Sequence, residues 1–384
     1  MAVPHKRSYD MSNRNLLILG FTAAAMVALA VVVAGIADKP YAKKDQTAYL
    51  IQGLDPDQVA RITIGKPGEE VILNRRGANF VVANLDNYPA RTSEINKLIT
   101  NCLDIQTAEL YTDNPANHKD LGVAELNATV LVKFYKAAPA DKTDLSLVTG
   151  VIVGKEKQKG KGIGYIRRVD DNKVYVAAAQ IPMIKKLATD YVAQGLTSVK
   201  REDINSITVS CSNDTYLLRP GDDGNTVILE NLAEGKKLNN TIVNRVFTAL
   251  ANLSFEDVNA ELAKWGLLFD RRYLCRLKDT TVYSIWLAKD AGLWFAKCDA
   301  QFADQTPVTK TQGQVESDEQ LKIKEAKLIA RDAAEEFSET HKGWVYQIPY
   351  YLAENLTKTS AELLETGKPV QAEVNESLDT AAEQ

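Results

Sequence analysis

VARITI, residues 59–64, alternates apolar and polar side chains. A period of two is the pattern of a half-buried strand. The run decides the fold because it comes twice. Ile204-Asn205-Ser206-Ile207-Thr208-Val209 repeats it 145 positions on, and both runs follow an acidic turn, LDPDQ at 54–58 and KRED at 200–203. A second short strand is expected after each, at Val71-Ile72-Leu73 and Tyr216-Leu217-Leu218. A third is expected at Phe80-Val81-Val82 and Val227-Ile228-Leu229. A helix then follows in both copies. In the first, Thr92 or Ser93 is the expected N-cap, and Ile95, Leu98, Ile99, Cys102 and Leu103 recur at helical spacing. In the second the stripe is Ile242, Val243, Val246, Phe247, Leu250 and Leu253. Such stripes mark the core side of an amphipathic helix rather than a cofactor face.

The register continues. Leu121-Gly122-Val123 matches Trp265-Gly266-Leu267, and strands are expected at 129–134 and 273–277, 147–153 and 282–288, and 164–166 and 293–295. Gln180-Ile181-Pro182 and Gln347-Ile348-Pro349 each precede an expected helix, to about Val192 and about Leu364. Proline is tolerated in a first helical turn, where its missing N–H has no partner to lose. The expected fold class is therefore α+β, with two tandem repeats of largely antiparallel sheet and helices packed on one face. The repeats occupy 51–197 and 198–366, the second with a helical insertion at about 313–342. Residues 367–384 are small, polar and acidic, as in a disordered tail.

Residues 16–37, LLILGFTAAAMVALAVVVAGIA, carry no charge. As a helix they would span about 33 Å at ~1.5 Å per residue, close to a hydrocarbon core of about 30 Å. Lys6, Arg7 and Arg14 precede the run against Asp10, so residues 1–15 form a basic tail. The positive-inside bias places that tail in the cytoplasm and everything after the linker at 38–50 outside it. Lys39, Lys43 and Lys44 weaken the bias. The expected address is the bacterial inner membrane, single-pass, with periplasmic C-terminal domains. Cleavage after Ala37 would instead release a secreted chain. However, signal h-regions run about 7–15 residues, and this run is longer.

A net charge of −4 over 384 residues shows no nucleic-acid footprint. Cys102, Cys211, Cys275 and Cys298 form no CxxC, and His5, His118 and His341 are too far apart for metal-ligand spacing. No GxSxG or HExxH occurs. No catalytic residue, metal or cofactor is expected. GKEKQKGKGIG, residues 154–164, superficially resembles a phosphate loop. It departs from GxxxxGK followed by Ser or Thr, because five residues separate Gly154 from Gly160 and Gly162 stands where a hydroxyl is needed. Lys289-Asp290-Ala291-Gly292 is a short turn at the matching place in the second copy. The stretch is thus expected to be an elongated hairpin tip. Lys155, Lys157, Lys159 and Lys161 on it are candidates for an anionic contact, to a lipid headgroup or a partner.

Residues 313–342 have no counterpart in the first copy. Leu321, Ile323, Leu328, Ile329 and Phe337 form a thin apolar stripe there. Leu321, Ile323 and Leu328 are candidates for docking a partner; a solvated helix inserted in a loop is the plainer alternative. Aromatics gather in the second copy, among them Trp286, Trp294, Trp344, Tyr346 and Tyr350. Packing is their main expected use, with a ligand platform as the alternative.

LDPDQVARITI, ANFVV, DIQTAELY and HKDLGV together resemble the bacterial domain-of-unknown-function family numbered 4340, over about 51–366 as two copies. Leu121-Gly122-Val123 and Trp265-Gly266-Leu267 stand at its "yGL" motif, and Phe80 departs from a Trp that is commoner there. The resemblance implies an envelope accessory role beside ABC-type export or gliding-motility transporter subunits, and supplies no catalytic residue. The expected function is a non-catalytic binding or scaffolding subunit of such a complex, with integral-membrane partners. A ligand-binding protein using the second-copy aromatics or the inter-repeat cleft is the alternative, and an envelope enzyme a third.

Overall fold

A computed structural model describes residues 48–137, 145–260, 266–309 and 317–365. The expected span at 16–37, the basic tail and the acidic tail lie outside the described residues. Among the described residues no helix is long and apolar enough to cross a membrane.

The first strand series comprises β1 (Ala48–Tyr49), β2 (Arg61–Ile64), β3 (Val71–Arg76), β4 (Asn79–Val82) and β5 (Tyr88–Pro89). After α1 (Thr92–Leu103) come β6 (Gln106–Thr112), α2 (His118–Leu121), β7 (Val130–Ala137), β8 (Leu145–Gln158), β9 (Ile163–Arg168) and β10 (Val174–Ala177). They form a sheet in the order β1-β6-β10-β9-β8-β7-β2-β3-β4-β5. β11 (Gly195–Thr197) leads into the second series, β12 (Ile204–Cys211), β13 (Asp214–Pro220) and β14 (Val227–Leu229). After α3 (Asn240–Phe247) come β15 (Leu253–Ser254), β16 (Asp257–Asn259), β17 (Arg271–Leu277), β18 (Thr281–Asp290) and β19 (Leu293–Phe302). α4 (Asp318–His341), β20 (Val345–Ile348) and α5 (Tyr350–Thr357) complete it. This sheet runs β14-β13-β12-β17-β18-β19-β20-β16, and β11 pairs with β15 apart from it. Without its end strands the first sheet reads β4-β3-β2-β7-β8-β9-β10-β6, which is the same order. Pairings such as β2 with β3 and β7, and β12 with β13 and β17, are antiparallel. The fold is sheet-rich α+β.

Local chemistry explains the elements. Ile62 and Ile64 of β2, and Ile207 and Val209 of β12, are buried as alternation requires. In α1 the buried side is Ile95, Leu98, Ile99 and Cys102; in α3 it is Val243, Val246 and Phe247. Both stripes are core, as expected, but α3 stops at Phe247, so Leu250 and Leu253 are buried beyond its end, Leu253 in β15. The Asn239 side chain accepts from the N–H groups of Thr241 and Ile242 and starts α3. At α1 the Glu94 and Ile95 N–H groups bond to the Arg91 carbonyl, so the helix start sits before the expected Thr92 or Ser93 cap.

Three expectations are corrected. No α-helix follows Gln180-Ile181-Pro182; only a 3-10 turn, Ala188–Tyr191, forms before Val192. Other groups use the backbone that a helix would need: Asn101 donates to the Met183 carbonyl and the Tyr191 hydroxyl to that of Lys185. After Pro349 the helix ends at Thr357, with Pro349 as its N-cap, and a 3-10 turn, Ser360–Leu363, follows. β6 and β16 add strands beyond those expected; QTAELYT is largely polar and exposed and DVN is three residues long, so neither carries a clear period. The described chain divides into two compact units. One holds residues 48–54, 101–131 and 149–183, the other 55–100, 132–137, 145–148, 184–260, 266–309 and 317–365.

Candidate functional site

In the first unit, GKEKQKGKGIG straddles the turn between β8 and β9. Each of its glycines has a backbone reason. A Cβ on Gly154 would lie 2.4 Å from the Leu121 carbonyl oxygen and 2.7 Å from Val123 Cγ1. One on Gly164 would lie 2.8 Å from the Lys155 carbonyl oxygen. Gly160 and Gly162 have φ of +78° and +64°, the left-handed region of a tight turn. The Gly160 N–H donates to Glu156 Oε2 at 2.8 Å, so a carboxylate of the same loop takes a donor that a phosphate would need. A strand follows where an anion-binding loop needs a helix N-terminus. The stretch is a hairpin tip. Gly154→Ala is expected to destabilise the protein by about 1–3 kcal/mol, because backbone rather than a movable side chain blocks the new methyl. Urea midpoints check this, with Lys159→Ala expected to stay within about 0.5 kcal/mol of the parent.

Lys155, Lys157, Lys159 and Lys161 are all exposed on this tip. Lys157 Nζ donates to Glu109 Oε1 at 2.5 Å, and that bond holds the ammonium protonated above its ordinary range. Glu109 and Tyr111 share a side of β6, and the Tyr111 ring lies 4.8 Å from that of Tyr165 on β9. Burial and the Tyr111 neighbour push the Tyr165 phenol up. Tyr111 is 49% exposed. Sequence reasoning found the lysines but not these tyrosines, because their approach depends on β6 pairing with β10.

The other candidates lie in the second unit. Ser317 and Gln320 form a capping box at the start of α4, and α4 runs beside β19. β20 pairs with β19 only at Trp294, Phe295 and Ala296. α4 therefore covers an edge that the rest of β19 would leave open. Ala334 and His341 are buried, and Ser338 Oγ donates to Asp299 Oδ1 at 2.5 Å. Lys327 Nζ meets Asp304 Oδ2 at 2.7 Å; this bond and those from Thr306 hold the Asp304 carboxyl down at about 2. The expected apolar stripe divides. At ~100° per residue Leu321, Leu328 and Ile329 fall opposite Ala334 and His341, whereas Ile323 and Phe337 fall on their side. Leu321 is 50% exposed, Ile329 62% and Ile323 65%; Leu328 is half-buried.

The described aromatics are mostly packing groups. Tyr273 and Tyr346 are fully buried, and Trp294 nearly so. Tyr88 of β5 meets Trp344, Phe255 and Tyr346 edge-on at 4.9, 5.8 and 6.2 Å. Beside them a cleft of about 620 Å³ is lined by Phe269, Trp286, Lys297, Asp299, Ser338 and Trp344, among others. Ser338, Asp299 and His341 all border it, but not in nucleophile–base–orienter order. Ser338 bonds to the carboxylate, and His341 Nδ1 sits 2.6 Å from the Tyr346 hydroxyl. The four cysteines are free and buried. Burial pushes the thiols of Cys102 and Cys275 up to about 12 and that of Cys211 to about 11. Such thiols stay protonated and unreactive. Among the described residues no three His, Cys, Asp or Glu side chains gather as a metal site would need.

The family model described as a domain of unknown function, DUF4340, matches residues 81–267. The match begins in β4 and ends at the Gly266-Leu267 turn, so it runs from the first strand series into the second. No curated protein and no solved structure matches the chain.

Proposed function

We propose that the chain is a non-catalytic binding or scaffolding subunit of an envelope complex, anchored in the bacterial inner membrane through residues 16–37 with its sheets in the periplasm. The observation that carries this reading is α4. It is a 24-residue helix present in one strand series only, and it leaves Leu321, Ile323 and Ile329 exposed, with Leu328 half-buried. An edge cover needs no apolar side chains on its outer side. A docking helix does. The family resemblance directs the choice of partner to polytopic subunits of an ABC-type transporter. The chain is further read as two copies of one unit, because eight strands recur in the same spatial order. Gly122 and Gly266, left-handed at φ +72° and +75°, also stand at matching places.

The test puts a photo-crosslinking amino acid in place of Ile329 in the full-length chain and irradiates intact cells. Recovery of polytopic membrane subunits is expected, falling about ten-fold when Leu321 and Leu328 are changed to Ser. Recovery of no membrane protein, from a variant that folds and fractionates normally, would overturn the reading. A ligand-binding role is the second reading, favoured by the Phe269, Trp286 and Trp344 side chains around the 620 Å³ cleft. An aromatic-lined concavity of this size is a usual small-molecule site.

A further inference from the structure

The lysine tip of the first unit combines charge, aromatic side chains and a short tether. Lys155, Lys157, Lys159 and Lys161 stand against Glu156, whose carboxylate is turned back onto the Gly160 N–H, and Glu109, which Lys157 engages. The tip is net basic in a chain whose net charge is −4. Tyr111, half exposed, lies beside it, its ring tilted against that of Tyr165. Basic side chains with tyrosines next to them are the composition found at the headgroup level of bilayers.

The length of the connecting segment limits how far this tip can lie from such a surface. Ten residues, 38–47, separate the apolar run from β1. At 3.3–3.6 Å each they reach at most about 35 Å. β8, which carries Lys155 and Lys157 and leads into the turn with Lys159 and Lys161, lies four strand positions from β1 in the sheet, about 19 Å at ~4.8 Å per strand. The tip is thus within the tether's reach of the bilayer that residues 16–37 would occupy.

We infer that the β8–β9 tip, with Tyr111, docks on the anionic phospholipid surface next to the chain's own anchor. The inference rests on the anchored reading above. Three lysines beyond the one engaged by Glu109 face the surface, and each is worth about five-fold in occupancy. Together they give on the order of a hundred-fold preference for anionic over zwitterionic lipid.

Hydrogen exchange of the full-length chain in nanodiscs tests this. In discs with one third phosphatidylglycerol, amides of 157–163 are expected to exchange about ten-fold more slowly than in phosphatidylcholine discs. About 0.5 M salt, which shortens screening to a few ångström, should remove the difference. Lys159→Gln with Lys161→Gln should also remove it while the melting temperature stays unchanged. Equal exchange in both lipids, from chain that co-purifies with the discs, overturns the docking and leaves the anchor standing. Chain that never enters the discs overturns the anchor and the docking with it. Protection seen only in native membranes assigns the tip to a protein partner and overturns the lipid proposal.

Discussion

Tyr88→Ala is expected to lower stability by about 3–5 kcal/mol, the range for removing a large buried aromatic, and to do so for a part of the chain far from residue 88 in sequence. Tyr88 is buried at the end of the first β4–β5 hairpin, and every ring it meets, Phe255, Trp344 and Tyr346, belongs to the second strand series. The same hairpin adds a second tie, since the Ala260 N–H donates to Asp86 Oδ2 at 3.0 Å. Asp86 and Asn87 hold left-handed backbone there, at φ 52° and 65°, which turns the hairpin toward these partners. All four tryptophans, 265, 286, 294 and 344, lie in the second half of the chain. Tryptophan fluorescence during urea unfolding therefore reports the second strand series, where the Tyr88 ring packs against Trp344. Its midpoint should fall with Tyr88→Ala, and Tyr88→Phe should keep most of the stability because the ring contacts survive. A tryptophan-reported midpoint that does not move would mean the hairpin folds independently of those rings.

This contact also marks what the sequence could reveal. Period-two alternation located β3, β12 and β13, because one side of each strand is the more buried. β2, where Thr63 is buried along with Ile62 and Ile64, was located by its likeness to β12. Helical spacing located α1 and α3 for the same reason. The lysine tip was legible from a comparison internal to the chain, the shorter turn at 289–292 showing that the added residues only lengthen a hairpin. Tyr88 was not legible, since its partners stand more than 160 positions away and leave no local period. The failed helix after Pro182 has a similar cause. Its residues carry adequate helix propensity, but Glu94 binds Lys185 at 2.9 Å and the Arg91 N–H donates to the Tyr191 carbonyl, and these tertiary bonds hold the segment extended. The stripe on α4 divides because Phe337 meets Tyr283 of the sheet while Leu321, Ile323 and Ile329 stay exposed. Spacing gives the sides of a helix but not which of them meets the sheet.

Stability is expected to fall as pH drops from 6.5 to 4, and His341 is the group that makes it fall. His341 is the last residue of α4 and is 7% exposed. It packs 4.3 Å from Phe337 and 5.4 Å from Tyr346, measured between ring centres. A helix C-terminus favours an imidazolium by about 0.3–2 kcal/mol. Burial among aromatic rings opposes it more strongly and lowers the His341 pKa to about 4. Between that value and the ordinary 6.5 the unfolded chain binds a proton that the folded chain refuses. Stability therefore rises with pH through this window, is complete above about 6.5, and is lost by about 4. At ~1.4 kcal/mol per pH unit the contribution is on the order of 3 kcal/mol. Carboxylates add their own slope at the acid end, so the decisive quantity is a difference between two proteins. His341→Gln keeps a polar partner for the Tyr346 hydroxyl, 2.6 Å from Nδ1 in the parent, and cannot titrate. Urea unfolding of both from pH 7.5 to 4 should show the parent losing about 3 kcal/mol more than the variant. Parallel curves would mean that the imidazole is protonated in place at little cost, and that the end of α4 beside the cleft opens to water more readily than its packing requires.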